Sequence, residues 1–366
     1  MKEQFDKWLT DAYHLNASDV HLTIGKAPIY RINGNLMEQS ETKKLKPSDT
    51  EKIVKAIIPV EKWEQLAEKR ELDFSYGISG ISRFRMNAFY QRGELSLAIR
   101  IVPTRIPSFT ELHLPKIAKQ IMHFPQGLVL VTGPTGSGKS TTLASMIDYM
   151  NQTMKKHIIT LEDPIEYMHT HDQSIIDQRE VGFDTRSFAG GLRAGLRQDP
   201  DVILVGEMRD LETIGTAVTA AETGHLVLGT LHTTDAVSTI ERIIDVFPAD
   251  QQTQIRIQLS TILKAVISQR LFPMKDNSGR HIATEVLMNT SAVKNLIRNE
   301  KLHQIKNVLQ TSKDEGMHTL EMDLRRLFRE DKIAYETASP FLDEREAINN
   351  ELPIYGQKQV RANNIW

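Results

Sequence analysis

The stretch GPTGSGKSTT at residues 133–142 is the feature that most limits what this chain can fold into. It follows the apolar run GLVLVT and precedes a segment that can form a helix. Gly133 to Ser140 match the pattern G-x-x-x-x-G-K-[ST], which between a strand and a helix wraps backbone N–H groups around phosphate oxygens. The motif therefore predicts an α/β domain that binds a nucleotide.

The residues of this loop have separate expected tasks. Its glycines let consecutive N–H groups converge on a phosphate, and the start of the following helix adds positive potential. Lys139 can reach the β- and γ-phosphates, while the Ser140 hydroxyl is a ligand for Mg²⁺. We therefore expect ATP and Mg²⁺ as cofactors, with nucleotide contacts from Gly133, Pro134, Thr135, Gly136, Ser137, Gly138, Lys139, Ser140 and Thr141.

Four continuous apolar runs indicate the kind of sheet to which this loop belongs. They are GLVLVT, HIITLE, DVILVG and HLVLGTL, and helix-capable segments separate them. Apolar runs that alternate with helices are typical of a parallel sheet covered on both faces. One of the helices, LETIGTAVTAAETG, is expected to end at Gly224. Beyond about residue 250 the pattern predicts a helical region.

The first hundred residues have a different texture. SDVHLTIG alternates apolar and polar residues, and Asn33-Gly34 stands between two short apolar arms, which predicts a hairpin. Prolines space the segment that follows, so it is expected to be a linker. We predict an N-terminal α+β domain, a linker, an ATPase domain and a tail, with bounds 1–101, 102–115, 116–342 and 343–366.

Acidic residues follow two of the predicted strands. In DVILVGEMRD the usual pattern of four apolar residues and an acidic pair has Gly206 at the first acidic position, so only Glu207 remains. Glu207 is our predicted general base. The carboxylate on the metal side must then come from elsewhere or act through water. ITLEDPIEY supplies Glu162 and Asp163 at the end of a neighbouring strand.

Two histidines and two arginines remain ambiguous on spacing alone. His225 and His232 bracket an apolar run, and their odd separation on one strand makes a poor chelating pair. Such histidines are more often hydrogen-bonded core residues than ligands. Arg83 and Arg85 share one face of a predicted strand, which suits either an anion site or surface ion pairs.

Composition excludes some classes of function. The chain has no cysteine, which excludes disulfides, thiolate zinc sites and cysteine nucleophiles. A net charge of -2 and 6% aromatic residues disfavour a protein that mainly grips nucleic acid. Neither a signal peptide nor a transmembrane run is evident. We therefore expect a cytoplasmic protein whose membrane association comes through a partner.

Taken together, these segments resemble the secretion ATPases, and most closely the PilT family of type IV pilus retraction motors. ASDVHLTIGKAPIYRINGNL is similar to the opening of the family's N-terminal PAS-like domain. GPTGSGKSTT, ITLEDPIEY, DPDVILVGEMRD and TGHLVLGTLHTTDA then occur in the family's order as phosphate loop, Asp box, Walker B region and His box. AVKNLIRNEK resembles the retraction signature AIRNLIRE, with Val293, Lys294 and Asn299 as departures.

The resemblance implies a PAS-like domain followed by a RecA-like ATPase domain, assembled as a hexamer that drives pilus retraction and twitching motility. It implies that His225 and His232 sense the γ-phosphate, and that Arg83 and Arg85 reach into a neighbouring subunit's site. The implied partners are an inner-membrane pilus platform protein and other pilus motor subunits, with no nucleic acid. The implied location is the cytoplasmic face of the membrane, held peripherally.

Three other functions stay open at this point. The chain's length and lack of cysteine disfavour the pilus assembly and type II secretion ATPases, which carry an extra N-terminal region and a four-cysteine zinc site. A RecA-like helicase or partition ATPase would need a basic track or stacking aromatic residues. A regulatory subunit that binds ATP and barely hydrolyses it is compatible with Gly206 at the first acidic position.

Overall fold

The structure is a computed structural model that describes residues 1–276 and 279–342. The chain forms two compact units. The first comprises Met1–Glu111, Pro125–Gly127 and Ser140–Gly229, and the second comprises Leu112–Phe124, Leu128–Lys139 and the chain from Thr230 onwards. The domain bounds expected from the sequence stay a prediction, and the expected tail at 343–366 lies outside the described residues.

The N-terminal part of the first unit is an antiparallel sheet of six strands with helices packed on it. Its strands follow the order β3-β2-β1-β6-β5-β4. The predicted hairpin is present, because Asn33 and Gly34 have φ of 50° and 82°, the left-handed values of a tight turn. The elements are α1 (Lys2–His14), β1 (Asp19–Leu22), β2 (Ile29–Ile32), β3 (Asn35–Glu38), α2 (Pro47–Ile57), α3 (Trp63–Lys69), β4 (Glu71–Ile78), β5 (Ser82–Gln91) and β6 (Glu94–Ile101).

One apolar core stabilises this N-terminal part. Phe5 and Leu9 of α1 pack with Ile53 of α2 against Phe84 and Met86 of β5, and all five side chains are fully buried. The alternation of β5 follows from this packing, since residues 82, 84, 86 and 88 are buried and the residues between them are not. The apolar face of β5 therefore faces its own core and leaves the arginine face for other contacts.

The four predicted apolar runs are all strands, which confirms the α/β class. The elements from residue 117 to residue 231 are α4 (Ile117–Ile121), β7 (Gly127–Thr132), α5 (Lys139–Thr153), β8 (His157–Glu162), β9 (Ile175–Glu180), α6 (Phe188–Gly195), β10 (Val202–Val205), α7 (Leu211–Glu222) and β11 (Leu226–Leu231). In the first unit, β10 pairs in parallel with β11 and β8, and β8 pairs in parallel with β9.

The region beyond residue 250 contains the predicted helices, but it also contains strands that the sequence analysis did not predict. It contains two long strands, of which β12 runs parallel to β7 and β13 runs antiparallel to β12. Sheet pairing on both sides of β12 outweighs the weak helical pattern, because a strand buried on both faces gains from β-branched residues such as Val266 and Ile267. The elements are α8 (Ala236–Asp245), α9 (Gln252–Ile262), β12 (Leu263–Pro273), β13 (Arg280–Met288), α10 (Ser291–Arg298), α11 (Ile305–Thr311), α12 (Leu320–Arg329) and α13 (Tyr335–Ala338).

Within residues 1–276 and 279–342, every helix is too short or too polar to cross a lipid bilayer.

Candidate nucleotide site

The predicted phosphate loop lies between β7 and α5, as the motif requires. Gly133, Gly136 and Gly138 have φ of 145°, 78° and 88°, a region that side chains with a Cβ rarely adopt. The Lys139 ammonium donates hydrogen bonds to the carbonyls of Gly133 at 2.7 Å and Pro134 at 3.2 Å. The loop is thus folded around the amine that is expected to contact phosphate.

His232 is the predicted residue that the second unit brings to this loop. It follows the last residue of β11, and its Nδ1 lies 3.4 Å from Lys139 Nζ. At this distance the imidazole and the lysine ammonium can both reach the same bound phosphate group. The structure therefore groups Lys139 and His232.

His225 lies at the other end of β11. Its Nδ1 lies 3.0 Å from the carbonyl oxygen of Ala220, and its backbone N–H donates to the same carbonyl. In the first unit the amino ends of β11 and β10 lie side by side, since Leu226 pairs with Val202, whereas Glu207 follows the carboxyl end of β10. His225 therefore binds the last turn of α7 and lies at the opposite end of these strands from Glu207. The structure does not group it with the predicted catalytic residues.

The start of α5 carries the other expected ligands. Ser140 is exposed, and its hydroxyl is a hard oxygen donor of the kind that Mg²⁺ accepts, so the residue fits the role of a metal ligand. Thr141 Oγ1 lies 3.0 Å from the hydroxyl of Tyr167, the last residue of the Asp box. In the part of the chain that the structure describes, no cluster of three or more histidine and carboxylate side chains forms a metal site.

Glu162 ends β8 and is held by two hydrogen bonds. Its Oε1 accepts from Thr160 Oγ1 at 2.6 Å and from Gln178 Nε2 at 3.1 Å. Burial raises the pKa of Glu162, and the two hydrogen bonds partly oppose that shift. Perturbed carboxyl groups of this kind are typical of functional sites. Asp163 follows it, is exposed, and forms a cis peptide bond with Pro164.

The close approach of two strands explains the missing acidic residue before Glu207. The Gly206 N–H donates to the Leu161 carbonyl at 2.7 Å. A Cβ at residue 206 would lie 2.9 Å from that oxygen and 3.3 Å from the Glu162 Cα. Gly206 therefore has no room for a side chain. The Glu207 carboxylate, 19% exposed, forms an ion pair with Arg209.

Arg83 is not the surface residue that its spacing alone suggests. Its side chain is 17% exposed, and its guanidinium forms an ion pair with Glu180 at 3.2 Å and lies over the Phe183 ring at 5.3 Å. Arg85, on the same face of β5, is exposed. Glu180 pairs with Glu162 in the ladder between β9 and β8, so Arg83 contacts the strand beside the predicted carboxylates.

Three residues that contact predicted site residues were missed from the sequence. Gln178 and Glu180 belong to β9, whose segment IIDQRE has too few apolar residues to indicate a strand. Gln269 follows the apolar run in LKAVISQRL, and this run has the same form as the four runs that were recognised. The apolar run that indicates this strand is present in the sequence, but the sequence analysis assigned it to the helical region.

The chain resembles known proteins over nearly its whole length. The family model described as type II/IV secretion system protein matches residues 1–325. The type IV pilus retraction ATPase PilT of Pseudomonas aeruginosa is 46% identical over 322 residues, which cover 88% of this chain and 93% of the relative. The chain belongs to the type II/IV secretion system protein family.

Further relatives of this family agree. The twitching motility protein of Neisseria gonorrhoeae is 47% identical over 311 residues, which cover 85% of this chain and 83% of the relative. The crystal structure of the pilus retraction motor PilT with bound ADP superposes with a TM-score of 0.85 at 49% identity and covers 94% of this chain and 98% of that one. The resemblance found from the motifs is thereby confirmed, and the chain is an ATPase of the family.

Proposed function

We propose that this chain is an ATP-hydrolysing motor that drives type IV pilus retraction and thereby twitching motility. The observation that carries the proposal is the similarity, over almost the full length of both chains, to a PilT retraction ATPase and to the ADP-bound PilT motor. The folded phosphate loop with Lys139 inside it supports ATP as the fuel.

ATP and Mg²⁺ are the proposed cofactors. The backbone N–H groups of the loop and the Lys139 ammonium would bind the phosphates, and the Ser140 hydroxyl would be a ligand of Mg²⁺. Bound Mg²⁺ supplies neutralisation of the charge that develops on the phosphate oxygens. Thr141 would act less directly, since its hydroxyl already contacts Tyr167.

Glu207 is the proposed general base, and Glu162 and Asp163 are proposed to orient water or the metal's water shell. Gly206 supports these separate roles, because a side chain at the first acidic position would clash with the backbone of β8. The additional carboxylates must then come from the end of β8. His232 is the proposed γ-phosphate sensor because it lies 3.4 Å from the lysine amine. For His225 we propose only a supporting role at the end of α7.

The proposed assembly is a hexamer with a PAS-like N-terminal domain at residues 1–101, a linker at 102–115 and a RecA-like ATPase domain at 116–342. Exposed Arg85 is the better candidate to reach a neighbouring subunit's site, whereas Arg83 is held by Glu180. An arginine supplied in this way raises hydrolysis by about 10³–10⁵ in GTPases. The proposed partners are a platform protein of the inner membrane, where the motor binds peripherally, and other pilus motor subunits.

ATP turnover by the purified protein tests the enzymatic part. The wild type should hydrolyse ATP, Lys139→Ala should neither bind nor hydrolyse it, and Glu207→Ala should bind ATP without turnover. Equal and negligible rates in all three proteins would favour the regulatory subunit that only binds nucleotide.

Mixing inactive variants tests the arginine in trans. Lys139→Ala subunits lack nucleotide but keep Arg85, and Arg85→Ala subunits bind ATP without their own arginine. A ring that shares sites should regain activity when the two are mixed. A mixed rate no higher than the sum of the separate rates would contradict the assignment.

Deleting the gene in its host tests the direction of the motor. Retraction predicts that pili persist on the cell surface while twitching is lost. Loss of the pili themselves would identify an assembly or secretion ATPase instead.

A further inference from the structure

The strand that the sequence did not reveal, β12, runs directly beside the strand that leads into the phosphate loop. Val266, Ile267 and Ser268 of β12 pair with Leu130, Val131 and Thr132 of β7. Gln269 comes next, so its backbone lies level with Gly133, the first residue of the loop. Its side chain is 1% exposed, which is unusual for a glutamine.

Gln269 meets the loop at three places. Its Nε2 donates a hydrogen bond to the Ser137 carbonyl at 2.7 Å. A Cβ at Gly133 would lie 2.3 Å from the Gln269 carbonyl oxygen, and a Cβ at Gly138 would lie 3.3 Å from Gln269 Nε2. Gln269 thus leaves no room for a Cβ at Gly133 and little at Gly138. It also donates a hydrogen bond to Ser137, which lies between them in the loop.

The chemistry fixes the orientation of the Gln269 amide. A carbonyl oxygen only accepts hydrogen bonds, so the amide nitrogen must be the atom that faces Ser137. Gln269 Oε1 is buried and has no hydrogen-bond partner among the residues that the structure describes. A buried amide with one unsatisfied atom costs stability compared with an apolar side chain of similar size. Packing alone therefore does not account for a glutamine here.

The hydrogen bond to Ser137 has a direct effect on the anion-binding groups. In a trans peptide the C=O and the N–H point in opposite directions. Holding the Ser137 carbonyl on Gln269 therefore points the Gly138 N–H away from β12. Lys139 follows Gly138, so the same contact also fixes where the lysine leaves the loop.

We propose that Gln269 is a positioning residue for the phosphate loop. Its amide holds the Ser137–Gly138 peptide so that the Gly138 N–H is directed at phosphate before the nucleotide binds. The inference rests on the assignment of Gly133 to Thr141 as the phosphate loop of an ATPase.

The first test removes the amide and keeps its approximate volume. Gln269→Leu should weaken ADP binding about tenfold or more and raise KM for ATP, while the thermal unfolding temperature of the nucleotide-free protein stays near or above that of the wild type. Ser268→Ala is the matched control. It removes the buried contact of Ser268 Oγ with Thr132 Oγ1 at 2.8 Å from the adjacent position, and it should leave ADP affinity within about twofold.

The second test restores the donor by protonation. In Gln269→Glu, the ionised carboxylate cannot donate to Ser137, whereas the neutral acid can. ADP affinity of this variant, expressed relative to wild type at each pH, should rise as the pH is lowered from 8 to 6. This result is expected even if Gln269→Leu folds poorly, because a variant that is merely destabilised has no reason to recover in acid.

Two results would overturn the proposal. One is a folded Gln269→Leu protein with wild-type ADP affinity and KM. The other is a Gln269→Glu protein whose relative affinity does not change with pH. Wild-type hydrolysis measured in the same assay separates these results from failure of the ATPase assignment itself.

Discussion

The contact of Gln269 with the phosphate loop and the contact of Arg83 with Glu180 both involve a buried polar side chain, but different forces hold them. In the loop, the Gln269 amide donates to a backbone carbonyl, and Gly133 has no room for a Cβ. At Arg83 a guanidinium from β5 faces the carboxylate of Glu180 at the end of β9. A missing Cβ leaves the backbone one close path, whereas loss of one partner of a buried ion pair leaves an uncompensated charge. The comparison teaches that close backbone packing holds the phosphate loop, whereas an ion pair holds Arg83.

The largest expected effect separates nucleotide binding from chemistry. Glu207→Gln should lower ATP turnover by about 10²–10⁴-fold, because a general base is lost, while ADP affinity stays unchanged if the loop is formed in advance. Steady-state turnover and ADP titration measure the two quantities. Glu212→Gln, an exposed carboxylate paired with Arg193, is the matched control and should retain full activity. Loss of ADP affinity in Glu207→Gln would contradict a phosphate loop that is formed independently of Glu207.

The next effect concerns the charged cluster. Arg83→Ala leaves the Glu180 carboxylate buried without its counter-charge, so the free energy of unfolding should fall by about 3 kcal/mol. Arg85→Ala, two residues away on the same face but exposed, should change it by less than about 0.5 kcal/mol. Urea denaturation measures both.

A double variant sharpens this result. Adding Glu180→Gln to Arg83→Ala removes the uncompensated charge and should recover part of the lost stability. Strict additivity of the two single changes would mean that the 3.2 Å ion pair carries no coupling energy.

A smaller effect is expected where backbone packing alone fixes the geometry. Gly206→Ala places a Cβ 2.9 Å from the Leu161 oxygen, which should lower the free energy of unfolding by about 1–3 kcal/mol. Gly77→Ala in β4 is the control, since a Cβ there has no atom within 4 Å and the backbone needs no positive φ. If both variants unfold alike, the strand contact at Gly206 does not constrain the site.

The smallest effect concerns the pH dependence of stability that His169 contributes; its backbone N–H donates to Gln178 in β9. Burial lowers the pKa of His169 to about 4, below its ordinary value near 6.5, so the unfolded chain takes up the proton first as the pH falls. Stability is full well above pH 6.5 and declines towards pH 4, by about 1.4 kcal/mol at pH 5.5. His169→Asn should lose less stability over this range than wild type, as thermal unfolding at pH 7.5 and 5.5 would reveal. An equal loss in both proteins would exclude His169 as the source.

The sequence predicts the loop better than it predicts the loop's surroundings. Lys139 was predicted from a local motif, and His232 was predicted only from the resemblance to the family's His box. Gln269 and Glu180 were not found, since each acts through a strand that only long-range pairing reveals. Arg83 was recognised as a polar residue on one strand face, yet nothing near it in the sequence identifies Glu180 as its partner. Residues that act within a local motif can be predicted from the sequence, whereas contacts between distant strands depend on how the sheet pairs.

Gly206 has a consequence for how this chain can change. A single substitution to aspartate at this position would bring the new Cβ within 2.9 Å of the Leu161 carbonyl oxygen in β8. The clash would arise whether or not the carboxylate bound a metal. The route to the more usual acidic pair therefore requires at least two changes, one of which must move β8 away. Variants selected for faster turnover should accumulate around Glu162 and Asp163 and leave residue 206 as glycine.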